Sequence, residues 1–118
     1  MFESESITLW RDADVIDPKG DKIGSLESVY VDTATDEPFV AGLKVGIIGR
    51  HRLVFVPLTA ATVGPGYVRV RYDKDLVRNA PGIETDGEMA ADMEPTIFAH
   101  YSMDYSPGAS GERRLARR

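Results

Sequence analysis

From Val15 to Tyr72 the chain is a series of short apolar runs separated by turns that carry Pro or Gly. That spacing is the signature of a small all-β domain. Residues 39–48 carry the clearest signal: Phe39, Ala41, Leu43, Val45 and Ile47 alternate with Gly42, Lys44 and Gly46. A period of two specifies a strand with one buried face. Residues 67–73 repeat it, with Val68, Val70 and Tyr72 on one face and Arg69 and Arg71 on the other. Leu53, Val54, Phe55, Val56 and Pro57 run without a polar break, which predicts a strand covered on both faces. Pro57 has no N–H to donate and ends the pairing there. Residues 23–32 predict a further strand, with Ile23, Val29 and Val31 on one face and Ser25 and Glu27 interrupting the pattern. Gly24 inside it marks a bulge or bend, the device by which a small barrel turns a corner. Shorter strands are expected at residues 7–10, 15–16 and 60–63. The connections are Pro18-Lys19-Gly20-Asp21, residues 33–38, the basic turn Gly49-Arg50-His51-Arg52, and Gly64-Pro65-Gly66.

Beyond Asp73 the period changes. Residues 74–79 predict one helical or irregular turn before Ala80-Pro81-Gly82. The stretch 84–94 is acidic, with Glu84, Asp86, Glu88, Asp92 and Glu94, and no Lys or Arg occurs between Arg78 and Arg113. Pro95 suits the first turn of a helix, where its missing N–H costs nothing. Ile97, Phe98 and Tyr101 then share one helical face. The final residues, rich in Ser, Gly and Arg, have the composition of a disordered tail.

Four local patterns occur in order. Val15, Asp17, Gly20, Ile23 and Gly24 form V-x-D-x-x-G-x-x-I-G. Val29, Val31 and Asp32 form a V-x-V-D strand end, followed by a polar turn and a long apolar strand. Phe55-Val56-Pro57 ends another strand, and residues 68–81 read V-x-V-x-Y-x-K-x-x-V-x-x-A-P. Together they make residues 7–82 resemble the PRC-barrel family, named for the photosynthetic reaction-centre H subunit. His100 to Tyr105, H-Y-S-M-D-Y, is similar to the H-Y-G-x-x-Y ending of many bacterial stand-alone members, with Ser102 where Gly is usual. The resemblance implies a mainly β fold: a small, strongly bent β-barrel that often pairs with itself, here with a short C-terminal helical segment. With the composition of the remainder, this divides the chain into a barrel at 1–82, an acidic connector and short helix packed on it at 83–106, and a disordered basic tail at 107–118. It implies structural or adaptor roles, as in reaction-centre assembly and, for a related domain, ribosome maturation. It carries over no catalytic residue.

Bulk composition narrows the function. At 118 residues the chain suits one domain, and a core of that size gains from a dimer interface. The net charge of −5 argues against general nucleic-acid binding, which needs Lys and Arg to neutralise phosphates. The absence of Cys excludes disulfides, thiolate metal sites and cysteine nucleophiles. The opening M-F-E-S-E-S-I-T-L-W is acidic and lacks the order of a signal peptide. No apolar run approaches the ~20 residues of a membrane span. Cytoplasm is the expected compartment.

Each group of reactive side chains has a structural reading beside its functional one. Arg50, His51 and Arg52 are candidate contacts for an anion or a partner, or a solvated hairpin tip. Arg69 and Arg71 are candidates to hold an acidic partner surface or the acidic segment of the same chain. His100 and Tyr101 suit a helix packed on the barrel. Asp12, Asp14 and Asp17 suit turns and strand ends better than a general acid–base pair, which needs a cleft to part their pKa values. The acidic stretch lacks the spacing of a calcium loop and reads as a solvated connector. Arg113, Arg114, Arg117 and Arg118 surround a lone Leu115, too little apolar surface for a membrane helix, and read as a solubilising tail. No catalytic, metal or cofactor site is expected. The favoured expectation is a non-catalytic module, dimeric by family habit, that serves as a scaffold or adaptor for an unidentified protein partner. The alternative is an RNA- or ribosome-associated factor, supported by the basic turn and tail.

Overall fold

One side chain builds the turn between the first two described strands. In this computed structural model, which describes residues 12–47, 50–83, 89–104 and 114–117, strands β1 (Asp14–Ile16) and β2 (Lys22–Asp32) form a hairpin. Asp17 Oδ1 accepts the main-chain N–H groups of Lys19 and Asp21, both at 2.9 Å. An aspartate that bonds to the backbone ahead of it makes the turn locally. Gly20 supplies the positive φ, +91°, that closes it. A second aspartate repeats the device, with Asp32 Oδ1 accepting from Ala34 N at 2.8 Å before β3 (Pro38–Ile47).

β3 pairs with β4 (Arg50–Pro57) in unbroken register from Val40↔Pro57 to Ile47↔Arg50. Leu53 to Pro57 are all buried, as a strand covered on both faces requires. β5 (Thr62–Gly64) and β6 (Tyr67–Arg69) form a short hairpin, and β6 returns parallel to β1. Helix α1 (Lys74–Arg78) follows, capped by Asp73 accepting from Asp75 N, and β7 (Gly82–Ile83) pairs with β4. The order is β5-β6-β1-β2-β3-β4-β7. The fold is mainly β with a short C-terminal helix, but the barrel does not close: among the described residues β5 and β7 are its two ends.

The facing of β2 differs from simple alternation. The register jumps between Leu26↔Leu43 and Ser28↔Gly42, so Glu27 is an extra residue on β2. The bulge resets the phase and puts Leu26 on the same face as Val29, opposite Leu43 and Ala41. A second jump leaves Phe39 as the extra residue on β3. Phe39 is accordingly half-buried, whereas Val40 beside it is buried.

Helix α2 (Glu94–His100) follows a 3-10 turn at Ala91–Met93 and buries Ile97 and Phe98, with Tyr101 buried just after it. Its end is a Schellman motif made without glycine: Ser102 takes φ +58°, Ser102 N donates to Ala99 O and Met103 N to Phe98 O. The C-terminal segment lies over the β2–β3–β4 centre. Phe98 packs edge-on against Phe39 at 5.7 Å, and Met89 N donates to the Tyr30 hydroxyl at 3.2 Å.

Residues 114–117 depart from the expected disordered tail. There β8 (Leu115–Arg117) pairs antiparallel with β2 through Tyr30, Val31 and Asp32. The physical reason is Leu115, fully buried among the core residues. The expected strand at 7–10 and the rest of the tail lie outside the described residues.

Candidate functional site

The bulges, turns and register bring separate charges together at one end of the sheet. Lys22 at the start of β2, Lys44 on β3, His51 on β4 and Arg78 at the end of α1 line one recess of about 300 Å3. Register explains the grouping, since Ser25 pairs with Lys44 and Gly46 with His51. Gly24 and Gly46 form part of its wall. Arg78 is fixed in place: Nε and Nη2 donate to the Ile23 carbonyl at 3.2 and 3.1 Å. Lys22 Nζ lies 3.1 Å from Asp14.

Of the candidates in the basic turn, only His51 is placed in this recess; the Arg50 side chain lies outside the described residues. Arg52 is a buckle between β4 and α1. Its guanidinium donates to the Ala80 carbonyl at 3.3 Å and to the Arg78 carbonyl. Arg69 ends β6 and Arg71 lies in the bend beyond it, so the strand expected over residues 67–73 stops at Arg69, and neither arginine lines this recess. They sit over the Tyr67 and Tyr72 rings, each 5.9 Å from the centroid. The expected pairing of these arginines with an acidic segment is not seen among the described residues. His100 Nε2 lies 2.7 Å from the Leu76 carbonyl and so carries its proton there, tying α2 to α1. The Tyr101 hydroxyl donates to the Phe55 carbonyl at 2.6 Å. Burial, reinforced by Tyr72, pushes the Tyr101 phenol pKa up.

Two carboxylates carry structural roles that were not assigned from the sequence: Glu94, and Asp32, which was named only as the end of the V-x-V-D pattern. Glu94, inside the stretch read as a solvated connector, is fully buried. Its Oε1 accepts Arg114 N at 2.9 Å and its Oε2 accepts Leu115 N at 3.0 Å. Asp32 meets Arg114 Nη2 at 2.9 Å. The available signals were an acid directly before Pro95 at a helix start and a single leucine among arginines. Glu84, Asp86, Glu88, Arg113 and Arg118 lie outside the described residues. Among the described residues no group of three or more His, Asp or Glu converges as a metal cage needs. No described helix is long and apolar enough to cross a membrane.

Asp17 and Asp32 give the fold a pH dependence. Burial pushes the Asp17 carboxyl up, but N–H donation from Asp21, Lys19 and Lys74 and the charge of Lys19 outweigh it and hold the pKa below its ordinary value. Burial opposes Asp32 likewise, and there the Arg114 hydrogen bond, Ala34 N–H and the Arg114 charge prevail. A native pKa below the unfolded 3.8 adds stability that is complete above that value and lost as pH falls through the native one. The urea midpoint is therefore expected to hold near neutrality and fall below about pH 4. In the Asp17→Asn/Asp32→Asn variant the neutral midpoint drops and the acid slope flattens. An acid slope equal to the parent's would assign acid sensitivity to other groups.

Comparison with curated proteins finds no match. The family model described as the PRC-barrel domain matches residues 2–77, more than half of the chain, spanning β1 to β6 and most of α1. The chain belongs to the PRC-barrel domain family.

Proposed function

We propose that this chain is a non-catalytic, cytoplasmic PRC-barrel module that forms a homodimer and acts as a scaffold or adaptor for another protein. The observation that carries this reading is the open sheet. β5 is an end strand with Val63 47% exposed, and among the described residues it pairs only with β6. An end strand offers a row of main-chain donors and acceptors that a second chain can pair with. The reactive side chains also have structural duties. Asp17 and Glu94 accept main-chain N–H groups, and Tyr101 and His100 contact main-chain carbonyls. The RNA-associated alternative rested on the basic turn and tail, where Arg52 and Arg114 are engaged within the fold. These engagements favour the protein-binding reading.

The test is the solution mass across micromolar concentrations, by light scattering or sedimentation. The expected mass is twice 13.0 kDa. Val63→Lys should raise the dimer dissociation constant by at least about tenfold, because an edge lysine opposes strand pairing and removes a valine that the dimer would bury. A mass of one chain at every concentration would remove the dimer from the proposal.

A further inference from the structure

We infer that the recess bounded by Lys22, Lys44, His51 and Arg78 binds a small phosphate group, either inorganic phosphate or a phosphomonoester. The proposal does not depend on the adaptor reading. The chain carries a net charge of −5, yet four basic side chains from four different elements converge on one recess of about 300 Å3. Asp14 meets Lys22; among the described residues no carboxylate pairs with Lys44, His51 or Arg78. The recess therefore offers several cationic and ring N–H donors beside a single carboxylate, and a phosphate seated among them would accept charge-assisted hydrogen bonds.

The donors are partly preorganised. Arg78 is anchored through Nε and Nη2 on the Ile23 carbonyl, while Lys22 makes an exposed ion pair with Asp14. Side chains already fixed lose less freedom when a ligand arrives. His51, opposite Gly46, adds a ring N–H in either tautomer. Gly24 and Gly46 put main chain rather than side chain at the wall. At Gly24 the fold requires this, since a Cβ would lie 2.5 Å from the Lys44 carbonyl oxygen. The volume is at the lower end of ligand sites, which fits a phosphate with a small substituent. A nucleic-acid track needs a basic stripe, whereas Arg69 and Arg71 are not part of this recess and stack on tyrosines.

The experiment is a 1H–15N titration of the full chain with sodium phosphate, against sodium chloride at matched ionic strength, with glycerol 3-phosphate as a second arm. Saturable shifts confined to the amides of Gly24, Ser25, Gly46 and His51 are expected with both phosphates. Tighter binding of glycerol 3-phosphate assigns the site to a phosphomonoester; equal or weaker binding assigns it to free phosphate. Lys44→Ala/His51→Ala removes two exposed side chains and should weaken binding by about tenfold or more. The proposal is overturned if chloride produces the same shifts, if the shifts centre on Arg69 and Arg71, or if the double variant keeps the parent's affinity. Mapped saturation of the parent chain decides the matter even if the variant folds poorly.

Discussion

Glu94→Ala is expected to unfasten the C-terminal strand and lower the melting temperature by roughly 10 °C, from a loss of about 3 kcal/mol. Glu94 is fully buried at the first turn of α2 and accepts the N–H groups of both Arg114 and Leu115. Removing the acceptor strands two main-chain donors, each costing about 1–3 kcal/mol where water cannot reach. A buried carboxylate is itself expensive to desolvate, so its net worth is smaller than its bonds suggest. Deleting it alone leaves the donors behind, which is why truncation is costly. Glu94→Gln keeps one acceptor but turns an NH2 toward an N–H, and should fall between the two. Hydrogen exchange locates the effect: the amides of β8 and of the Tyr30–Asp32 edge it pairs with should exchange faster. An unchanged melting temperature with unchanged exchange at Leu115 would mean that apolar burial alone holds β8.

What was legible in the sequence was whatever a single period controls. β3 and β4 pair in one continuous register, and their alternating and continuous apolar patterns gave their positions directly. Helix α2 was legible because Ile97, Phe98 and Tyr101 recur at helical spacing. β2 was legible as a strand but not in its facing. An extra residue such as Glu27 has no local signature and looks only like broken alternation between Ser25 and Val29. Phe39 was assigned to the Ala41–Leu43 face, and the register jump that leaves it half-buried against the core and Phe98 has no local signature either. The C-terminal strand was hidden because its cause is remote: Leu115 finds its partners on β2 and at Glu94.

The recess illustrates the same limit for sites. His51 was singled out because it stands between two arginines. Lys22, Lys44 and Arg78 were not, because each looks like an ordinary surface charge until the strands are registered. Conversely, the sequence presents Arg50, His51 and Arg52 as one basic turn. Successive positions on a strand face opposite sides, and there His51 joins the recess while Arg52 reaches main-chain carbonyls at the end of α1. Asp17 was legible as a turn residue, yet its contact with Lys74 N at 3.4 Å joins that turn to the start of α1 and depends on tertiary structure.

Gly24→Ala should cost more than Gly20→Ala, although Gly20 is the glycine with the unusual backbone. At Gly20 the φ of +91° disfavours any L side chain, but an added Cβ would meet no atom within 4 Å. Its cost is conformational only, about 1–2 kcal/mol. At Gly24 an added Cβ would lie 2.5 Å from the Lys44 carbonyl oxygen and 2.9 Å from Val45 Cγ1. The nearer atom is main chain and cannot rotate away, so β2 and β3 must part beside the Ser25↔Lys44 pair. Overpacking of this kind costs about 3 kcal/mol when the backbone has to move. Denaturant midpoints of the two variants test the order, and a reversal would show that the strand spacing yields cheaply. Because Gly24 also lines the basic recess, a folded Gly24→Ala chain should lose phosphate affinity as well as stability. Gly20→Ala, away from the recess, should lose stability alone.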